Sequence, residues 1–439
     1  MLADHLNFLN EVQQNDFNRL GSHLPYEWVE QAIANTESAS IRHRRLPAGQ
    51  VLWLVIALAL YRHQSISEVV DELDLALPNP AQSFVSKSAI SQARQRLGEE
   101  PLEWLFHTAA QAWSEQTRAQ SRFNGLQLFA IDGTVLRTPD SPANRQHFGA
   151  QRNAGGTVAS YPQVRAVTLT AIPTHLITDV AFGIYGKHEM EYAKELIGDI
   201  ADHSLTVFDK GFMSAAILHQ LSSQGQERHF LIPAKTNTRW EVLEGNADDA
   251  LVQMKVSAQA RAKCPSLPTT WKARAVRVID RRGRTRVLLT SLTDRQRFTA
   301  DQIAQCYRHR WHIETSYREL KQSLLGKVLT LRSQSVSGVL QEIWGSLVAY
   351  NLLRLEMAKT ASAAQCTPTE ISFVRAMHTM QYELMWMAVT RSQGKLPALL
   401  QRLRERLQDL PNKPRPGRSN PRAVKSVRKK YDVRPLQKA

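Results

Sequence analysis

The sequence predicts a mixed α/β protein, in which a helical N-terminal region precedes a sheet and further helices follow it. Residues 1 to about 120 show apolar positions at helical spacing. From about residue 126, short apolar runs alternate with helical segments, which is typical of a mixed sheet. Beyond about residue 300 the pattern is helical again.

The N-terminal region, residues 1–120, is predicted to be a helical DNA-binding domain, with a solvated helical bundle as the alternative. Its most apolar run, Val51–Tyr61, has 11 residues. A membrane span needs about 20, so this run predicts a core helix and no membrane association. Another helix is predicted over Ser83–Leu97. It carries three cations, Lys87, Arg94 and Arg96.

The sheet is predicted from apolar runs of strand length that end at turn residues or alternate with helical segments. The predicted strands are Leu126–Asp132, Val164–Ile172, His175–Ile184, Leu205–Asp209 and His229–Ala234. Helices are predicted between them over residues 188–201 and 213–223. Residues from about 237 to 296 are predicted to be a β-rich insertion, whose strands Trp271–Ile279 and Thr285–Leu292 form a hairpin.

The remaining elements are helices and a basic tail. A long helix is predicted from near Ala300 past Lys321, followed by helices over 335–358, 368–390 and 395–409. The predicted domains are therefore 1–120, 121–358 with the sheet and its insertion, a helical region 359–410, and a tail 411–439. The tail holds ten Lys or Arg and one acid, so we expect it to be disordered and to bind polyanions.

Charge and cysteine usage narrow the class of protein. The net charge is +16, which indicates a polyanionic partner, above all nucleic acid. The alternatives are an RNA contact of the ribosomal kind, an anionic membrane surface, or a basic character without functional meaning. The three cysteines show no C-x-x-C pair, which argues against a structural zinc site or a disulfide framework. The N-terminus has no signal-peptide pattern, so a cytoplasmic location is expected.

Two predicted strands end in aspartate, Asp132 and Asp209. Phosphodiester chemistry needs charge neutralised at phosphorus and an activated water or 3′-hydroxyl, and two Mg²⁺ ions held by carboxylates supply both. Either aspartate alone is weak evidence, because aspartate after a strand often only caps a turn. Together they predict a metal site.

The predicted long helix adds a third carboxylate, Glu314. At about 100° per residue, Tyr307, Arg310 and Lys321 fall on the face that carries Glu314, with Arg318 close to them. A metal-binding Glu flanked by groups that contact phosphates explains this stripe. A solvated face with Arg–Glu pairs explains it equally well.

A second acidic group follows the Gly186–Lys187 turn, at His188, Glu189 and Glu191. These residues have the chemistry of metal ligands. Acidic residues at the start of a helix more often complement the helix dipole, and that interpretation is favoured here. No Walker loop is present, so nucleotide hydrolysis is not expected.

The spacing Y-x2-R-x3-E-x6-K, met by Tyr307, Arg310, Glu314 and Lys321, resembles that of the DDE transposases of the insertion-sequence-4 family. The segments FAIDGTVLRTPDS, VFDKGFMSA and LLTSLTD are similar to that family as well. So is the stretch RHRRLPAGQVLWLVIALALYRHQSISEVVDEL. The resemblance spans roughly residues 30–350.

The resemblance implies a ribonuclease-H-like catalytic domain and a transposase that cleaves DNA at transposon ends. It implies that Asp132, Asp209 and Glu314 are catalytic and bind two Mg²⁺ ions, for which Mn²⁺ substitutes. It also implies double-stranded DNA, both transposon ends and target, as the partner of a synaptic homodimer in a bacterial, nucleoid-associated setting. The expected DNA-binding residues are Tyr307, Arg310, Lys321, Arg318 and Lys210.

Three questions stay open at this point. Lys210 stands where some members of the family have arginine, which keeps a charge but loses a bidentate phosphate contact. Related enzymes stack a flipped base on a tryptophan, and the sequence does not choose between Trp240 and Trp271, for which core packing is the favoured role. The rival functions are a metal-dependent nuclease of the same fold that does not join strands, and a domesticated relative that only binds DNA.

Overall fold

The computed structural model of the chain describes residues 24–38, 46–72, 86–152, 158–279, 283–326 and 330–389. Its described residues form two compact units, each built from separate stretches of chain. A helical unit draws on the described residues within 24–113, 136–164 and 318–389, and a sheet unit on those within 114–135 and 165–317. The predicted domain limits stay predictions, and the predicted helix 395–409 and basic tail lie outside the described residues.

The helical unit contains most of the helices. These are α1 (Tyr26–Asn35), α2 (Ala48–Leu60), α3 (Ile66–Glu72), α4 (Lys87–Leu97), α5 (Glu100–Gln116, of which the unit takes the part to Trp113), α6 (Pro142–Phe148), α12 (Val336–Ala363) and α13 (Phe373–Val389). The predicted core helix is confirmed as α2, which is buried along nearly its whole length and packs against α12. No described helix is both long and apolar enough to span a bilayer.

Helix α4 begins after Ser86, whose hydroxyl accepts a hydrogen bond from the Ala89 N–H and caps the helix. Arg94, one of the three cations of this helix, is half-buried. Its guanidinium donates to Oε1 of Gln341 and Oγ of Ser333, so it is used inside the helical unit. Lys87 and Arg96 are exposed, as expected.

The sheet has ten strands. They are β1 (Arg122–Phe123), β2 (Leu126–Arg137), β3 (Gln163–Ala171), β4 (Ile177–Ile184), β5 (Ser204–Phe208), β6 (Arg228–Pro233), β7 (Glu241–Gly245), β8 (Asp249–Lys255), β9 (Thr270–Ile279) and β10 (Thr285–Thr290). Their order is β4-β3-β2-β5-β6-β10-β9-β8-β7, with β1 paired to β2. The sheet is mixed, because β2, β5 and β6 are parallel and the strands from β6 to β7 are antiparallel.

The predicted insertion is β-rich and its hairpin forms, since β9 and β10 pair antiparallel. It is nevertheless continuous with the main sheet, because β10 pairs with β6. Without that pairing, β6 would be an edge strand with a row of unpaired backbone groups. The insertion therefore extends the sheet.

Helices in the sheet unit are α7 (Glu189–Leu196), α8 (Ala215–Ser223), α9 (Ala258–Lys263), α10 (Ala300–Arg308) and α11 (Trp311–Arg318, of which the unit takes the part to Tyr317). Residues of β2, β5, β6, β9 and β10 form a buried core with α10 and α11. This core holds the two helices on the sheet that carries Asp132 and Asp209.

The prediction of one long helix from Ala300 past Lys321 is wrong. The N–H groups of His309, Arg310 and His312 donate to carbonyls three residues earlier, which makes a turn between α10 and α11. After α11 the backbone widens into a π-helical turn, Glu319–Leu324. The single helical face that was predicted to carry Tyr307, Glu314 and Lys321 is therefore interrupted between residues 307 and 321.

Candidate catalytic site

Asp132 and Asp209 emerge side by side from adjacent parallel strands. The last residue pair between β2 and β5 is Ile131 with Phe208, and each aspartate is the next residue of its strand or turn. Asp209 caps the 3₁₀ turn Lys210–Phe212, and its Oδ2 accepts a hydrogen bond from the Gly211 N–H. The register therefore brings both carboxylates to one level at the same end of the parallel strands.

The sequence had predicted that Asp132 ends its strand. This is wrong, because β2 continues to Arg137. The run of buried residues does stop at Ile131, and the next four are half-buried. The strand thus passes from the core into a partly open position at the residue that carries the carboxylate.

Glu314 joins this group through Arg310. One guanidinium nitrogen of Arg310 lies 2.8 Å from Oε1 of Glu314 and another lies 3.9 Å from Oδ2 of Asp132. The side chains of Arg310 and Asp132 are about one-fifth exposed, whereas that of Glu314 is 39% exposed. Arg310 is therefore the cation in contact with two of the three predicted catalytic carboxylates.

Tyr317 is a site residue that the sequence analysis missed. Its hydroxyl donates to the main-chain oxygen of Asp132, and it is 2.9 Å from Oγ1 of Thr168. Since the phenol has one proton, Thr168 donates to the phenol oxygen. Tyr317 lies one turn after Glu314 on α11, so this buried contact ties the helix of Glu314 to the strand of Asp132. The position of Tyr317 three residues after Glu314, on the same helix, was the feature of the sequence that could have predicted it as a site residue.

The electrostatics of the site favour an added cation. Burial, with the charges of Asp209 and Glu189, raises the pKa of Asp132 to about 6, against the opposing effects of the Gly133 N–H and Arg310. Burial also raises the pKa of Tyr307, a hydrogen-bond partner of Arg310. A divalent cation beside Asp132 would stabilise the charged carboxylate.

The donor chemistry fits Mg²⁺ or Mn²⁺, because both prefer carboxylate oxygens. The placement of the side chains is less complete. Among the residues that the structure describes, no group of three or more His, Cys, Asp or Glu side chains is arranged to hold a metal ion. Asp132 and Glu314 instead share the guanidinium of Arg310.

The structure brings together only part of the predicted set. Tyr307, Arg310, Asp132, Asp209 and Glu314 belong to the sheet unit and act on one another electrostatically. The exposed Lys210 lies next to Asp209 in the same unit. Two other predicted DNA-binding residues, Arg318 and Lys321, belong to the helical unit.

Trp271, a candidate for stacking a flipped base, packs its ring 5.9 Å from that of Phe230. Phe230 pairs with Thr206, three residues before Asp209. Trp271 therefore contacts a part of the sheet away from the aspartates, in accord with the favoured role in packing. Trp240 is half-buried just before β7.

Acidic side chains at the end of adjacent parallel strands, with a glutamate on a helix packed against that sheet, are the arrangement expected of a ribonuclease-H-like enzyme of the DDE class. Comparison with known families agrees. The family described as "Transposase DDE domain" matches residues 124–352, and "Insertion element 4 transposase N-terminal" matches residues 14–107. The chain belongs to the insertion-sequence-4 family of DDE transposases, enzymes that cut DNA and transfer the cut strand and that generally use divalent metal ions.

Two relatives from Escherichia coli (strain K12) show the extent of the similarity. The chain is 38% identical to "Transposase InsG for insertion sequence element IS4" over 96% of this chain and 95% of that protein. It is 36% identical to "Putative transposase InsZ" over 51% of this chain and 73% of that protein. Among solved structures, the piggyBac transposase synaptic complex with hairpin DNA is 12% identical, with a TM-score of 0.45, over 94% of this chain and 88% of that chain.

Proposed function

We propose that this transposase cuts DNA at the ends of its element and joins the freed 3′-hydroxyl to target DNA, with Asp132, Asp209 and Glu314 as catalytic residues that hold two Mg²⁺ ions. The observation that carries the assignment is the register, because Ile131 and Phe208 are paired and the two aspartates follow them. Bound ions of this kind activate a water or hydroxyl and neutralise charge at the phosphorus.

The protein's own residues have separable roles in this proposal. The two aspartates and Glu314 provide the anionic oxygens. Arg310 balances their charge and contacts a phosphate beside the scissile bond, with Tyr307 as its hydrogen-bond partner. Tyr317 is a positioning residue that fixes α11 against β2.

Other parts of the proposal rest on family membership and on charge. Lys210, Arg318 and Lys321 contact phosphates of double-stranded DNA, both transposon ends and target. The net charge of +16 supports that partner. The working form is a synaptic homodimer on paired ends. Its setting is the bacterial cytoplasm in association with the nucleoid.

The test uses the purified full chain, Mg²⁺ and a duplex that carries the terminal sequences flanking its gene. Asp132→Asn and Asp209→Asn should each lower cleavage by on the order of 10³-fold, since a metal ligand contributes several kcal/mol to the transition state. Both variants should bind the duplex within about two-fold of the wild type, because the substituted aspartates are proposed to contact the metal ions and not the DNA.

Asp301→Asn is the matched control, since Asp301 is an exposed carboxylate on α10 of the same unit, and it should cleave normally. Wild-type cleavage by Asp209→Asn would refute the assignment. A supplied target plasmid separates the alternatives, because joined products indicate a transposase and cut but unjoined ends indicate a nuclease.

A further inference from the structure

Glu189 differs from the other carboxylates of α7. Glu191 accepts a hydrogen bond from the His188 N–H and so caps the helix, and Glu195 pairs with Lys187. Within the described part of the chain, Glu189 has neither a hydrogen bond nor an ion pair. The dipole of α7 alone does not explain why this half-buried carboxylate lacks a partner that its neighbours have.

Gly133 shows where the carboxylate of Glu189 lies. A β-carbon added to Gly133 would be 2.6 Å from Cδ and 2.9 Å from Oε2 of Glu189, closer than non-bonded atoms come. The carboxyl group therefore occupies the space that a side chain at position 133 would fill. Because Gly133 follows Asp132 in β2, this places Glu189 beside the backbone of the first catalytic aspartate.

Glu189 also lines a cavity together with residues of the turn that follows the second aspartate. This cavity of about 440 Å³ is lined by Arg165, by the first residues of α7 and by Gly211 and Phe212. Gly211 is the residue whose N–H is bonded to Asp209. Glu189 thus lies against the strand of Asp132 and also borders a cavity next to Asp209.

The charge of Glu189 acts on Asp132 and helps to raise its pKa. Like charges held close together in a half-buried place repel one another, and Arg310 is already in contact with Asp132 and Glu314. A divalent cation is the ligand that offsets such a charge excess, and it binds oxygen donors with room for water, as the cavity provides.

Building on the proposed metal-dependent function, we propose that Glu189 is a fourth carboxylate of the catalytic cation site, which binds an ion directly or through a water, and that Gly133 is the residue that admits it. The favoured sequence interpretation, in which Glu189 only complements the dipole of α7, does not account for the contact with Gly133. Glu191 and Glu195 do not share that contact.

The first experiment measures Mn²⁺ binding to the DNA-free full chain by calorimetry and by electron paramagnetic resonance, alongside cleavage against Mg²⁺ concentration. Glu189→Gln should weaken Mn²⁺ binding by about 10- to 100-fold and raise the Mg²⁺ needed for cleavage in parallel, the range found for groups that support a metal site. Glu195→Gln is the matched control and should bind Mn²⁺ within about two-fold of the wild type.

The second experiment uses the contact itself. Gly133→Ala should weaken Mn²⁺ binding with little change in the midpoint of thermal unfolding, because the added methyl group displaces the flexible end of the Glu189 side chain. Adding Glu189→Asp, which is one methylene shorter, should restore part of the Mn²⁺ affinity. Adding Glu189→Ala instead should restore none of it.

Unchanged Mn²⁺ affinity in Glu189→Gln would overturn the inference. So would equal Mn²⁺ affinity in the two Gly133→Ala double variants. The proposed function fails separately, since it is refuted if Asp132→Asn or Asp209→Asn cleaves like the wild type, whatever Glu189→Gln does.

Discussion

Glu314 and Glu319 are five residues apart in the chain, but the structure surrounds them differently. Glu314 is 39% exposed and its partner, Arg310, also contacts Asp132. Glu319 is 13% exposed, accepts a hydrogen bond from the Tyr350 hydroxyl and lies 3.7 Å from the guanidinium of Arg354, which is 1% exposed. The first carboxylate belongs to the sheet unit and the second to the helical unit.

The contrast shows how the surroundings of a carboxylate that we propose to serve chemistry differ from those of one that serves stability. Glu319 has a buried cation and a hydroxyl directed at it, so its hydrogen-bonding capacity is used by the fold. Glu314 is half-exposed and bonded to a cation that is shared with a second acid. Both lie in one segment with ordinary helical character in the sequence, and only the packing separates their roles.

The largest expected effect is on chemistry. Glu314→Gln should lower DNA cleavage by on the order of 10³-fold, because the lost carboxylate contributes several kcal/mol to holding metal in the transition state. The free energy of unfolding should change little, since the half-exposed Glu314 is not part of the core. Cleavage is measured per folded molecule on an end-bearing duplex. Full activity in this variant would contradict the role given to Glu314.

The next effect is on stability. Glu319→Gln removes the carboxylate that lies 3.7 Å from the buried guanidinium of Arg354 and that accepts from the Tyr350 hydroxyl, which should cost about 3–5 kcal/mol in the free energy of unfolding. The folded fraction should still cleave DNA within a few-fold of the wild type. Urea unfolding and cleavage are measured on the same preparation.

A double variant sharpens this test of Glu319. Glu319→Gln with Arg354→Met removes both charges and should recover part of the loss, because no unpaired cation stays buried. Loss of cleavage by folded Glu319→Gln would mean that this carboxylate, too, serves the chemistry.

Much of the sheet unit could be predicted from the sequence, because strand length and burial leave a direct trace in apolar runs. The runs that stop at Ile131 and Phe208 predicted the position of both aspartates, although β2 itself continues to Arg137. The spacing of Tyr307, Arg310 and Glu314 predicted the family correctly, and it selects Glu314 as the third carboxylate that we propose.

The rest depends on contacts between distant residues, which local patterns do not encode. The break between α10 and α11 arises from three-residue hydrogen bonds at His309 and Arg310, in a segment with no proline or glycine to mark it. The continuation of the sheet depends on which strand pairs with β6. The contact of Glu189 with Gly133 joins residues 56 positions apart.

A smaller effect is expected at the link between α11 and β2. Tyr317→Phe removes the hydroxyl that donates to the Asp132 oxygen and accepts from Thr168, which should cost about 2 to 3 kcal/mol for buried groups left unpaired. Cleavage should fall about 10- to 100-fold, because Glu314 and Asp132 are no longer held together.

Tyr61→Phe is the matched control for Tyr317→Phe. The Tyr61 hydroxyl also donates to a buried main-chain oxygen, that of Gln381, but in the helical unit. It should lose a similar amount of stability and keep its cleavage rate per folded molecule. Equal losses of cleavage in the two variants would reduce Tyr317 to an ordinary core residue.

The smallest expected effect is the pH dependence of stability. The pKa of Asp132 is raised from 3.8 to about 6 in the folded protein, mainly by burial. A raised pKa means that the folded state holds the proton of Asp132 more tightly than the unfolded state does. Protonation of Asp132 therefore stabilises the folded state fully below about pH 4, and this stabilisation is lost as the pH rises through 6. A shift of this size corresponds to about 3 kcal/mol for a fully buried group. Because the Asp132 side chain is 22% exposed and partly screened by solvent, the loss should be on the order of 1 to 2 kcal/mol, and Asp132→Asn should not show it.

The measurement is urea unfolding from pH 4 to pH 8 for the wild type and Asp132→Asn, with the difference between the two curves as the result. Asp179, whose pKa burial raises to about 7, contributes equally to both proteins and cancels.

Adding Mg²⁺ at pH 7 should recover the lost stability in the wild type alone, because a bound cation lowers the pKa of Asp132. For the same reason the midpoint of cleavage against pH should move below 6 as Mg²⁺ increases. Parallel unfolding curves for the two proteins would show that Asp132 is already ionised without help from a cation, and would remove the electrostatic argument for a metal at this carboxylate.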